Sequence, residues 1–138
     1  MVSSVRVLSG VAAVIALAQA YSPAPRDIAP VDMKSSCTAE AAVDVNRGAA
    51  FLMALAPLDA RKAFDRAAER DPDCALAGWG RAMSWLPVDP WRMSDQALRE
   101  GRDALRRAAG RGTPREQAYV KSAAALFDDP PATTSSTP

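Results

Sequence analysis

Between Asp59 and Met83 the chain reads DARKAFDRAAERDPDCALAGWGRAM. Ala60, Phe64 and Ala67 recur at the spacing of one helix face. The pattern stops at Asp71-Pro72-Asp73 and restarts around a tryptophan set between Gly78 and Gly80. A helix face made of small residues with one aromatic among them demands a closely approaching neighbour. A proline immediately afterwards turns the chain so that the neighbour can come from the same polypeptide. This stretch therefore restricts the chain to short helices folded back on one another.

Helix signals continue on both sides, and no alternating strand pattern of useful length occurs. Five helices are expected. The first spans about Thr38 to Leu55, and the second runs from Pro57, a residue suited to a first turn, to Arg70. The third is expected to open at Pro72 with Asp71 as its cap, and to end near Leu86 before LPVDPW breaks the pattern. The fourth starts from Ser94 as a cap and ends at Gly110 and Gly112. The fifth opens with TPRE, Thr113 to Glu116, a capping box with proline at the first helical position, and ends near Phe127. Tyr119, Ala123, Leu126 and Phe127 are expected to face inward, with Arg115, Glu116 and Lys121 outward.

The third helix carries Leu76, Trp79, Met83 and Leu86 on one stripe, and Ala75, Gly78, Ala82 and Trp85 on another. From Ala75 to Leu86, Arg81 is its one charge. A helix apolar nearly all round has neighbours on several sides. The second and fourth helices instead carry a solvated face: Lys62, Asp65, Arg66 and Glu69 on one, Arg99, Arg102, Asp103 and Arg106 on the other. Buried helices alternating with half-exposed ones, joined by short loops, describe an all-α stack of antiparallel hairpins.

The beginning of the chain is of another kind. MVSSVR gives a short basic start, Val7–Ala18 an apolar run, and Ala18-Gln19-Ala20 a small-x-small exit. Residues 1–20 read as a cleavable export signal. The apolar run is too short for a membrane span, which needs about 20 residues. No cysteine follows the expected cleavage point to carry a lipid, so no membrane attachment is expected after cleavage. Removing residues 1–20 takes away Arg6 and no acid. The 17 basic and 16 acidic residues of the whole chain thus become 16 and 16. That neutrality argues against a nucleic-acid surface or an anionic-membrane binder. Residues 21–36, with Pro23, Pro25 and Pro30, read as a disordered leader, and 129–138 as a disordered Pro/Ser/Thr-rich tail. The folded domain is expected over 37–128. Cys37 and Cys74 form no CxxC pair. In an exported chain two lone cysteines are expected to be disulfide-bonded, the alternative being two separate buried thiols.

A repeat of roughly 34 residues organises the middle of the chain. With Pro72 at the repeat's proline, Gly48, Phe51, Ala60, Phe64 and Ala67 fall on signature positions. Asp44 and Arg47 stand where a tryptophan and a leucine are usual. A second unit places Ala97, Gly101 and Ala104 in register once three residues are inserted at LPVDPW. On these residues the chain resembles the tetratricopeptide-repeat superfamily. More narrowly it resembles exported bacterial repeat proteins marked by DPDCALAGWGRAMS, a proline-tryptophan pair and TPREQAYV. The resemblance covers about Cys37 to Phe127. It implies a short α-solenoid in which Cys37 and Cys74 lie at neighbouring helix starts, close enough to bridge. Such proteins commonly carry histidine where Met53 and Pro87 stand, and this chain has no histidine. No ligand role carries over to those positions.

The same absence removes Ser-His-Asp, Cys-His and histidine-based zinc chemistry, and no Gly-rich phosphate loop occurs. Glu40, Asp44 and Asp59 are carboxylates expected on solvated faces, which does not suit general acid–base work. No cofactor, metal site or catalytic residue is expected. The resemblance implies a concave groove lined by Val45, Ala49, Leu52, Met53, Trp79, Met83 and Leu86. Lacking lysine and asparagine there, the groove suits an apolar helix or extended segment of a protein partner better than a peptide carboxylate. The competing assignment makes the same residues core. Trp85 is expected against the fourth helix, and Trp91 is a candidate rim anchor. The function expected is a non-catalytic interaction module in the periplasm or outside the cell. The alternatives are a small-molecule carrier, an accessory piece of a larger envelope enzyme, or a remnant with no independent role.

Overall fold

The computed structural model describes residues 28–87 and 93–128. The export signal, the first part of the leader, Trp91 and the tail lie outside the described residues. Five helices follow in order: α1 Ala39–Met53, α2 Pro57–Arg70, α3 Ala75–Met83, α4 Asp95–Ala108 and α5 Pro114–Asp128. Among the described residues there is no strand, so the all-α expectation holds.

Local chemistry sets the boundaries. The Thr38 hydroxyl accepts from the Ala41 amide at the start of α1, and Ser94 Oγ accepts from Ala97 at the start of α4. Pro57 occupies the first turn of α2, where its missing amide proton costs nothing. In the capping box, Thr113 N donates to Glu116 Oε2 at 2.6 Å and Glu116 N to Thr113 Oγ1 at 3.3 Å. At the end of α1, Leu55 takes φ 56°. Its amide donates to the Leu52 carbonyl and the next amide, Ala56, to Phe51, which closes the helix in the Schellman pattern.

The start of α3 differs from the sequence expectation. Pro72 does not open it. The helix begins at Ala75 after a short turn, because Asp71 has other partners: its carboxylate accepts from the Thr38 amide at 2.8 Å and from the Asp73 amide at 3.1 Å. Those bonds hold 71–74 as a turn and tie it to the start of α1.

Packing proceeds through neighbours. The pairs in contact are α1–α2, α1–α3, α2–α3, α3–α4, α3–α5 and α4–α5. Thus α3 touches all four other helices, as its apolar circumference requires, whereas α1 touches neither α4 nor α5. Two apolar clusters meet at α3. One joins Ala41, Val45, Phe51, Ala60, Phe64 and Ala67 to Leu76 and Ala77. The other joins Ala75 and Ala82 to Ala104, Leu105, Val120, Ala123 and Phe127. Each has a phenylalanine seated on glycine. The Phe64 ring lies between Gly48 of α1 and Gly80 of α3; a Cβ at Gly48 would sit 2.7 Å from it, and one at Gly80 closer still. Phe127 lies on Gly101 in the same way. Polar ties reinforce the hairpins. Asp44 pairs with Arg66 and Arg70, each at 3.2 Å, and Arg81 reaches both Asp65 (3.3 Å) and Glu100 (3.7 Å).

Two further expectations are corrected. Residues 28–36 of the leader are placed against the fold: Ile28 and Met33 pack on the first cluster, and the Met33 amide donates to Asn46 Oδ1 at 2.8 Å. Glu116, expected outward, is 1 % exposed, and Leu126, expected inward, is 45 % exposed. The register of α5 instead turns Glu116, Val120, Ala123 and Phe127 to the core.

Candidate functional site

The expected groove residues separate into two groups. Val45 is fully buried inside the first cluster and Ala49 is nearly fully buried, so neither lines an open surface. Val45 belongs to a cluster that α1 shares with α2 and α3, so packed neighbours close over it. The others keep surface. Leu52 is half-buried and Met53, at the end of α1, is exposed. On α3 and just beyond it, Trp79, Met83 and Leu86 are half-buried, each packed on the second cluster with one side left to solvent.

Trp79 is the anchor of this row. Its ring meets Phe64 edge-on (centroids 6.4 Å apart) and Tyr119 of α5 edge-on (5.4 Å), both favourable T-shaped geometries. Tyr119, half-buried, extends the row onto α5 and was assigned inward by sequence reasoning. Its i, i+3 spacing from Glu116 did not distinguish a core position from a rim position. Trp85, expected against the fourth helix, packs on the second cluster, to which α4 contributes Ala104, Leu105 and Ala108. It is also covered by Arg61 of α2, whose guanidinium lies 3.3 Å from the ring centroid. Arg61 donates to the Ser84 carbonyl at 2.9 Å, and burial lowers its pKa from the ordinary arginine value.

The starts of α1, α3 and α5 gather at one end of the molecule. Cys37 and Cys74 are disulfide-bonded, with Cα atoms 4.8 Å apart. Beside them the Ser36 amide donates to Glu116 Oε1 at 2.7 Å and the Ser36 hydroxyl to Oε2 at 2.6 Å. Burial opposes ionisation of Glu116, but these bonds and those from Thr113 outweigh it and leave its pKa below the ordinary carboxylate value. Sequence reasoning recognised the capping box and missed the third partner, because Ser36 lies eighty residues away in the chain.

The carboxylates considered for chemistry are dispersed. Glu40 and Asp59 are exposed, whereas Asp44 is buried beneath its two arginines rather than solvated. Among the described residues no three His, Cys, Asp or Glu side chains are grouped to hold a metal ion.

A larger concavity lies elsewhere. A groove of about 950 Å³ runs between α4 and α5, with Leu105, Val120, Ala109 and Ala124 along its floor and basic side chains on its rim. The fourth-helix signature did contain that rim (Arg99, Arg102, Arg106), which was assigned to solvent. No family model, curated protein or solved structure matches this chain.

Proposed function

We propose that the chain is an exported, non-catalytic member of the tetratricopeptide-repeat kind, a short α-solenoid that serves as a protein-interaction module. The observation that carries this reading is the gathering of the starts of α1, α3 and α5 at one end. Odd-numbered helices side by side and parallel, each hairpin touching only the next, are the packing expected of stacked repeats. The aromatic set between Gly48 and Gly80 supports the same reading, since it occupies the space between successive hairpins.

The partner-facing surface in this proposal is the half-exposed row of Trp79, Met83 and Leu86, continued by Tyr119. Half-buried large apolar side chains can be covered by a partner while the core beneath stays closed. The disulfide is compatible with an exported protein. No helix among the described residues is long and apolar enough to cross a membrane.

Affinity capture from a cell-envelope extract tests the proposal, comparing the chain with a variant carrying Met83→Ser and Leu86→Ser. Trp79 is left intact because it supports Phe64 and Tyr119. The variant is expected to lose the specifically captured protein while keeping its circular dichroism. Retention of the same proteins by both forms would sink the assignment of this face.

A further inference from the structure

We infer that the groove between α4 and α5 binds an acidic amphipathic helix of about three turns, supplied by another polypeptide. The site is distinct from the Trp79 row: none of Trp79, Met83 or Leu86 lines it.

The shape argues for a helix. Lining residues run along α4 from Arg99 to Arg106, continue to Ala109 and Gly110 just past its end, and run from Gln117 to Asp128 on α5. At 1.5 Å per residue the α5 wall is about 16 Å long and the helical part of the α4 wall about 14 Å, close to the length of a three-turn helix. On the floor, Leu105 and Ala109 are four residues apart, and so are Val120 and Ala124. Val120 and Ala124 form a helical ridge on α5, with Leu105 of α4 beside it, against which a third helix can set its own i, i+4 row. The position is also one that pairing leaves open. α1 has α2 as its hairpin partner and α3 has α4, whereas α5 has no hairpin partner among the described helices.

Charge selects the guest. Arg99, Arg102, Arg106 and Lys121 line the groove against Asp103 and Asp128. Both acids are committed within the site, Asp103 to Arg106 and Asp128 to Arg102. The excess is positive, and it flanks an apolar floor. A second copy of the same face would set these cations against one another, so self-association through the groove is disfavoured. A guest with small apolar side chains at i, i+4 and glutamate or aspartate on the flanks satisfies both floor and rim.

A fluorescently labelled, hydrocarbon-stapled 16-residue peptide with an Ala/Leu stripe and Glu flanks tests this by anisotropy with the full, oxidised chain. The acidic peptide is expected to bind, weakening about tenfold between 50 and 500 mM salt as exposed charges are screened. A Lys-flanked peptide and a proline-interrupted acidic peptide are expected not to bind. Arg99→Glu with Lys121→Glu should lower affinity at least tenfold, and Ala124→Trp should do so without changing charge. Leu58→Gln, on the exposed face of α2, should leave it unchanged. Equal binding of the acidic and basic helices, or of the proline-interrupted peptide, overturns the inference. So does a dimer, seen by sedimentation, that the charge reversal dissolves. The face carrying Met83 and Leu86 takes no part in this assay, so its result stands apart from the capture experiment.

Discussion

At the α1 end of the molecule, Ile28 packs on the first cluster, and Ile28–Val31 borders a small cavity of about 280 Å³ with Asn46, Arg47, Ala50 and Phe51. The segment that follows is fastened in succession. Met33 bonds to Asn46, Ser36 to Glu116, Cys37 to Cys74 and Thr38 to Asp71. At the α5 end no described segment covers the outer side of α4 and α5, and a groove with an apolar floor stays open there. Both halves use one device in the core, a phenylalanine on glycine. They differ in how the last helix face is treated: one is closed by the chain's own extended segment, the other is rimmed with arginine. A helix stack must end somewhere, and an end can be sealed or used.

The sharpest way to break this comparison is through the two phenylalanines. Phe64 is gripped on both sides by glycine, Phe127 on one, and both are fully buried. Phe64→Ala is expected to cost about 4–5 kcal/mol and Phe127→Ala about 3 kcal/mol, read from urea unfolding. The cause can be isolated. Gly80→Ala alone should be strongly destabilising, because its methyl would collide with the Phe64 ring. In the Phe64→Ala background the same change should cost little, since the ring is gone. An additive double-mutant cycle would show that Phe64 and Gly80 do not share this contact.

Next in size is the staple. Replacing Cys37 and Cys74 by alanine removes a cross-link of sequence separation 37. Loop-closure entropy puts the loss at about 3–4 kcal/mol. Hydrogen exchange should show protection falling first in α1, with α4 and α5 least affected at early times. Loss beginning at α5 would mean the two ends are not separately secured.

How much of this was readable beforehand follows from where each signal resides. Caps and prolines act within a few residues, so Ser94, Pro57 and the Thr113–Glu116 box located helix starts correctly. The Phe64 gap-filling role was legible because Gly48, Ala60 and Phe64 lie on adjacent turns of one hairpin. What failed depended on distant partners. Pro72 was expected to start α3, but Thr38 competes for the Asp71 carboxylate. Glu116 was expected in solvent, but Ser36 of the leader bonds to it and it is buried. Val45 and Ala49 have the composition of groove and core alike, and only the packing of α1 on its neighbours decides between them. The α4–α5 groove was invisible because its rim resembles any solvated helix face.

Glu116 tests whether the leader secures more than one helix. Its Oε1 accepts from the Ser36 amide, and its Oε2 from the Ser36 hydroxyl and the Thr113 amide. A glutamine would turn an N–H toward at least one of these donors, so Glu116→Gln is expected to cost about 2 kcal/mol at pH 7. The folded-state pKa is lowered, so the carboxylate's contribution is complete above the unfolded pKa and disappears as pH falls through the folded one. The stability gap between wild type and Glu116→Gln should therefore narrow as acid is added below the ordinary carboxylate pKa. A gap that stayed constant down to pH 2 would remove the charge from the explanation. Ser36→Ala should reproduce part of the loss and part of the pH dependence.

The smallest effect has the opposite sign at the two ends. Both α1 and α4 are followed by a left-handed residue, but α4 uses Gly110 (φ +76°) and α1 uses Leu55 (φ 56°). For a residue with a Cβ that conformation costs about 1–2 kcal/mol, and glycine avoids the cost while surrendering backbone entropy on folding. Leu55 is 77 % exposed, so little burial is lost with its side chain. Leu55→Gly is then expected to stabilise the chain by about 0.5–1 kcal/mol. Gly110→Ala should destabilise it by about 1 kcal/mol, and a Cβ there would meet nothing within 4 Å, so strain alone is measured. If Leu55→Gly is instead destabilising, the leucine must be covered by something in solution. The tightly fastened end would then also carry a contact surface, and the contrast between a sealed end and a used end would fall.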